Sequence, residues 1–94
     1  MVTNVNYKLT GRVDATNAQQ CEDVIMDLLG NVDQDFTIDL SELDYISSVG
    51  LRVFLKTAKA LKERNKKLVL VKPTVPIHDL LIMSGFDKII DIQP

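Results

Sequence analysis

Along this chain the hydrophobic period switches between two and about 3.6, and back, in strict turn. That alternation restricts it to a fold in which strands and helices follow one another. Val5, Tyr7 and Leu9 alternate with Asn6 and Lys8, predicting a strand that ends near Gly11. Thr16 and Gln19 have the spacing of a capping box. Ala18, Cys21, Val24, Ile25, Leu28 and Leu29 then share one stripe of a first helix, with Gly30 as its left-handed stop. Phe36, Ile38 and Leu40 alternate with Thr37 and Asp39, a strand with one buried face. Ser47 or Ser48 caps a second helix whose core stripe reads Leu51, Phe54, Leu55, Ala58 and Leu61, ending by Asn65. Val49, Val53 and Ala60 lie nearly opposite Leu51 and Ala58, predicting a second, weaker apolar strip available to a partner.

The unbroken run Leu68-Val69-Leu70-Val71 reads as a central strand buried on both faces. Thr74 caps a third helix with Pro76 in its first turn. Ile77, Leu80 and Leu81 point inward, Gly85 stops the helix, and Phe86 folds back onto its last turn. A short last strand follows at 89–92. The expected fold is α/β: a small open, mainly parallel sheet of about four strands alternating with three helices, the helices mostly on one face. At 94 residues the chain is expected to be a single domain.

Composition removes several function classes. A 46% hydrophobic, 26% charged chain is a folded one, not a disordered one. Eleven Lys and Arg against 13 Asp and Glu leave −2, without the basic excess of a nucleic-acid binder. With 5% aromatics and no Trp, no stacking platform for single strands is expected either. Cys21 is the only cysteine and cannot form an internal disulfide, which fits a reducing compartment. No apolar run approaches the roughly 20 residues of a membrane span, and the first residues lack signal-peptide character. The expectation is a cytoplasmic protein without direct membrane insertion.

Enzyme chemistry finds little support. His78, the only histidine, has no serine or cysteine beside it in a nucleophile motif. Cys21 lies on an apolar stripe, where packing outweighs reactivity. The four glycines are isolated, so no phosphate-cradling loop forms, and no set of metal ligands at suitable spacing stands out. Asp33, Asp35, Asp39, Glu42 and Asp44 read better as a solvated edge than as a metal pocket. The expectation is no catalysis, no cofactor and no resident metal.

The segment from Asp39 to Arg52 stands apart. A strand leads through a short acidic loop into Ser47 and Ser48 at a helix start, where free N–H groups and the dipole favour a phosphate. Gly50, one turn in, would let another protein approach closely. The simpler reading is that the serines are caps.

Asp39 to Leu55 resembles the signature segment of the STAS domain, the fold of anti-sigma factor antagonists. Gly11-Arg12-Val13-Asp14-Ala15 resembles that family's segment before the first helix, and Ser84-Gly85-Phe86 resembles its ending after the third. The resemblance implies a phosphorylation-controlled module in a bacterial partner-switching circuit. Ser48 would be the acceptor, with Ser47 as runner-up. Asp14, Ser47, Ser48, Val49, Gly50, Arg52 and Val53 would meet the partner. Ser47 stands where many members have aspartate, Val49 where they have a small hydroxyl residue, and Arg52 where a small residue is frequent. The implied partners are an anti-sigma factor of the serine-kinase type, which would release its sigma factor or other target, and a metal-dependent serine phosphatase. The alternative is a STAS-like accessory subunit of a membrane transporter without a phosphate cycle.

Overall fold

The computed structural model describes residues 5–30 and 33–94, in the order β1 (Tyr7–Val13), α1 (Ala18–Leu29), β2 (Phe36–Ile46), α2 (Ser48–Lys62), β3 (Leu68–Val71), α3 (Val75–Met83) and β4 (Asp91–Gln93). A short 3-10 turn, Phe86–Lys88, lies between α3 and β4. The four strands form one sheet in the order β1-β2-β3-β4, every neighbouring pair parallel. Each strand is joined to its neighbour by a helical crossover. Right-handed crossovers in sequential order place all the helices on the same side.

The core follows from that placement. Tyr7, Ile38, Leu70 and Ile92 stand in one row across the sheet. Ile38 and Leu70 are fully buried in one cluster with Ile25 and Leu29 of α1, Phe54 and Leu61 of α2, and Ile77 and Leu81 of α3. All four residues of β3 are buried between its two neighbouring strands, as its unbroken apolar run implies.

β1 and β2 both run further than their alternation predicts. β1 continues past Gly11 to Val13, and the expected acidic loop after Leu40 is strand as far as Ile46. The reason is in the register. Lys8 pairs with Asp39 but Thr10 with Glu42, and Gly11 pairs with Leu43 but Arg12 with Tyr45. At each step β2 holds one residue more than β1, so it carries two bulges. After Leu40 its buried residues are therefore Leu43 and Ile46, three apart instead of two. Gly11 sits at φ 72°, a conformation that glycine adopts without strain.

Helix details also depart from expectation. The Thr16–Gln19 capping box does not form: the Thr16 hydroxyl donates to Asp14 and Gln19 Nε2 donates to Asp23. Asn17 holds the N-cap position, and its side chain binds Asp14 N–H and the Arg12 carbonyl across the turn. Gly30 is right-handed, with φ −53°, so it is no left-handed stop. Val24 and Leu28 are partly exposed, and Ala18, Cys21, Ile25 and Leu29 form the buried line.

In α2 the core line is Gly50, Val53, Phe54, Thr57 and Leu61, one position out of phase with the predicted stripe. Leu51, Leu55 and Ala58 are only half-buried. Gly50 and Thr57 occupy core positions without an apolar signal, which shifts the apparent stripe. Thr57 is fully buried because its hydroxyl donates to the Val53 carbonyl, 2.7 Å away. Asn65, at φ 59°, and Gly85, at φ 77°, turn the chain after α2 and α3.

Candidate functional site

The serines lie where the sheet hands the chain to α2. β1 and β2 end together, Val13 opposite Ile46, and the Ser47 N–H donates to the Val13 carbonyl at 2.9 Å. That bond sets the start of α2 beside the β1–α1 turn. The two hydroxyls then differ. Ser47 is half-buried, takes the extended N-cap conformation, and its Oγ accepts from the Gly50 N–H at 3.3 Å. Ser48 is the first residue of the helix, exposed, and its side chain makes no hydrogen bond among the described residues. An unengaged hydroxyl over the positive end of a helix is open to modification and favourably placed for added negative charge.

Asp14 organises the adjoining turn. Its carboxylate accepts from the Thr16 hydroxyl, from the Thr16 N–H at 2.9 Å and from Arg12 Nε at 2.9 Å. These bonds, the Thr16 hydroxyl foremost and Arg12 last, hold its pKa below the ordinary value of 3.8. Across the β1–β2 pairing the Arg12 guanidinium lies 5.0 Å from the Tyr45 ring centre, a cation–π contact. Between α1 and α2 a cleft of about 270 Å³ opens on the same end, lined among others by Ala15, Val49, Arg52 and Val53. Lys56 and Glu22 bridge the two helices along it at 3.1 Å.

A family model for the STAS domain matches residues 2–94. The chain belongs to the STAS-domain family. Over 84 residues this STAS domain is 36% identical to BtrV of Bordetella bronchiseptica, named as an anti-sigma factor antagonist, with 89% of this chain and 72% of that protein covered. It is 28% identical over 90 residues to the anti-sigma-B factor antagonist of Listeria monocytogenes, covering 96% and 79%. The anti-sigma factor antagonist SpoIIAA, solved in its unphosphorylated form, has the same fold: TM-score 0.76 at 18% identity, covering 98% of this chain and 83% of that one.

Of the residues singled out in the sequence, the STAS domain gathers Asp14, Ser47, Ser48, Val49 and Arg52 at one end. Ser48 and Arg52 are exposed, while Asp14, Ser47 and Val49 are half-buried. Two others face inward. Val53 is 3% exposed, so the strip predicted to run through it is not a free surface. Gly50 is buried too, and its lack of a side chain serves the interior: an added Cβ would stand 2.6 Å from Ile46 Cγ1 and 2.9 Å from Val13 Cγ1. Glycine is needed there for the helix to sit down on the strand ends.

The pairing of Arg12 with Tyr45 has no signal in the sequence, because only the bulged register of β2 brings them side by side. Among the described residues the acidic side chains form no group that could hold a metal ion. Asp35 accepts from Lys67 N–H, Asp39 from Ser41 N–H, and Glu42 pairs with Lys8. The Ser41 bonds, backbone first, hold the Asp39 pKa low. His78 is exposed, 3.9 Å from Asp79.

Proposed function

We propose that this STAS domain is an anti-sigma factor antagonist controlled by phosphorylation of Ser48. The observation that carries the reading is the division of labour between the serines: Ser47 Oγ caps the helix, while the exposed Ser48 hydroxyl is unengaged. In its unmodified form the domain binds an anti-sigma factor of the serine-kinase type through the end formed by Asp14, Ser47, Ser48, Val49 and Arg52. Binding makes that factor release its sigma factor or other target. The kinase modifies Ser48 with ATP, a metal-dependent serine phosphatase restores it, and the domain itself catalyses nothing. These partners are cytoplasmic, and so is the domain. The names of the BtrV and Listeria relatives support the antagonist role.

Phosphorylation would add a charge of about −1.5 to −2 at the helix N-terminus. The helix dipole offsets part of that charge by about 0.3–1 kcal/mol, so the fold persists. Arg52 stands four residues on, at the spacing where a helix surface pairs opposite charges. Phosphate held there would occupy the docking surface and replace its neutral hydroxyl with a strongly hydrated dianion.

The test is intact-mass measurement after incubation with ATP and purified candidate anti-sigma factor kinases. Wild type and Ser47→Ala should gain one phosphate, and Ser48→Ala none. Phosphate on Ser47, or no phosphate with binding to a transporter's ATPase subunit instead, would overturn the reading.

A further inference from the structure

A second candidate surface lies at the opposite pole. Lys59, Lys62, Lys66, Lys67 and Lys88 surround one groove of about 440 Å³, within the roughly 300–1,000 Å³ typical of binding clefts. These are five of the chain's 11 basic residues, in a protein whose net charge is −2. The end of α2 and the approach to β3 supply four lysines within residues 59–67, and the segment before β4 brings Lys88 beside them. Lys59, Lys62, Lys66 and Lys88 make no ion pair among the described residues, and Lys67 stands 4.0 Å from Asp91. The floor is apolar: Leu55, Ala58, Leu68 and Ile89, the last 54% exposed. From Ser48 to Lys59 the helix rises about 16 Å, so this groove is separate from the serine end.

We propose that this groove docks an acidic peptide segment of a partner protein, its apolar side chains on the floor and its carboxylates against the lysine rim. Charge complementarity selects the occupant. Lysines are mobile point charges that suit dispersed carboxylates, and among the described residues no arginine lines the groove to clamp a phosphate with two parallel bonds. Among the described residues no aromatic ring lines it to stack a base, and an apolar floor does nothing for a phosphate backbone. Lysine stems extend the apolar floor while their ammonium groups stay in water. The site is independent of the Ser48 switch.

The experiment is fluorescence anisotropy with a labelled peptide of repeating Glu-Glu-Leu, set against an all-Glu peptide and single-stranded oligothymidylate. The Glu-Glu-Leu peptide should bind saturably, weaken as salt is raised, and exceed both controls by at least about tenfold. Lys62→Gln/Lys88→Gln should weaken binding roughly tenfold, and Lys59→Gln/Lys66→Gln similarly, since each lost pair contributes up to about fivefold. Circular dichroism should show both variants folded. Lys8→Gln, the same charge removed from β1, should bind as wild type does. No saturable binding, unchanged binding by both folded double variants, or oligothymidylate or all-Glu binding as tight as the Glu-Glu-Leu peptide would overturn the proposal.

Discussion

Replacing Gly50 with alanine sets two known effects against each other. Alanine in a helix is favoured over glycine by about 1 kcal/mol, so on an open surface Gly50→Ala would stabilise. Here the new Cβ would meet Ile46 Cγ1 at 2.6 Å and Val13 Cγ1 at 2.9 Å. Both neighbours are β-branched, stiff at χ1, and buried to 3% and 2% exposure, so neither has an easy rotamer to move into. Overpacking of a core costs about 1–3 kcal/mol; two such close contacts with stiff neighbours put this site at about 2–3 kcal/mol, and subtracting the helix gain leaves a net loss of about 1–2 kcal/mol. For a domain of this size that lowers Tm by roughly 4–16 °C. Urea and thermal melts of wild type, Gly50→Ala, Val13→Ala and the double variant measure it. The alanine at 50 should cost less when Val13 is already truncated, because the two changes share one contact. A Gly50→Ala protein as stable as wild type would refute the packing argument and return Gly50 to the surface role its sequence context implies.

Ser47→Ala should cost about 0.5–1 kcal/mol, a modest cap at 3.3 Å, whereas Ser48→Ala should stay within about 0.5 kcal/mol of wild type in the same melts. Thr16→Val removes the main bond that lowers the Asp14 pKa, so NMR titration of that carboxyl should move upward. A depressed carboxylate stabilises the fold above its unfolded pKa and loses that contribution as pH falls through its folded value. The stability gap between wild type and Thr16→Val should therefore be present at neutral pH and close in acid. Cys21, buried and with its pKa raised first by burial and then by Glu22, should react with a thiol reagent far more slowly in the native than in the unfolded protein.

What the sequence revealed depended on whether apolar side chains filled the core positions. β3 is legible because each of its four residues is apolar and buried. The phase of α2 is not, because Gly50 and Thr57 fill core positions by smallness and by an internal hydrogen bond. The second half of β2 is hidden by its bulges, which space Leu40, Leu43 and Ile46 three apart and leave charged residues between them. At the candidate site, the helix start and both serines are legible from strand–serine–helix order. Which hydroxyl is engaged and why Gly50 is glycine depend on contacts with Val13 and Ile46, which no local pattern encodes. The lysine groove is half legible: Lys59, Lys62, Lys66 and Lys67 cluster in the sequence, but no local pattern shows that the fold brings Lys88 and Ile89 beside them.

The most direct test of the switch is calorimetric titration of the anti-sigma factor with this domain, once unmodified and once homogeneously phosphorylated on Ser48, each checked by circular dichroism. The account predicts saturable binding by the unmodified form and a loss of at least about 100-fold on phosphorylation, with the same folded spectrum. Equal affinity of the two forms, or a phosphorylated form that fails to bind because it has unfolded, would contradict it.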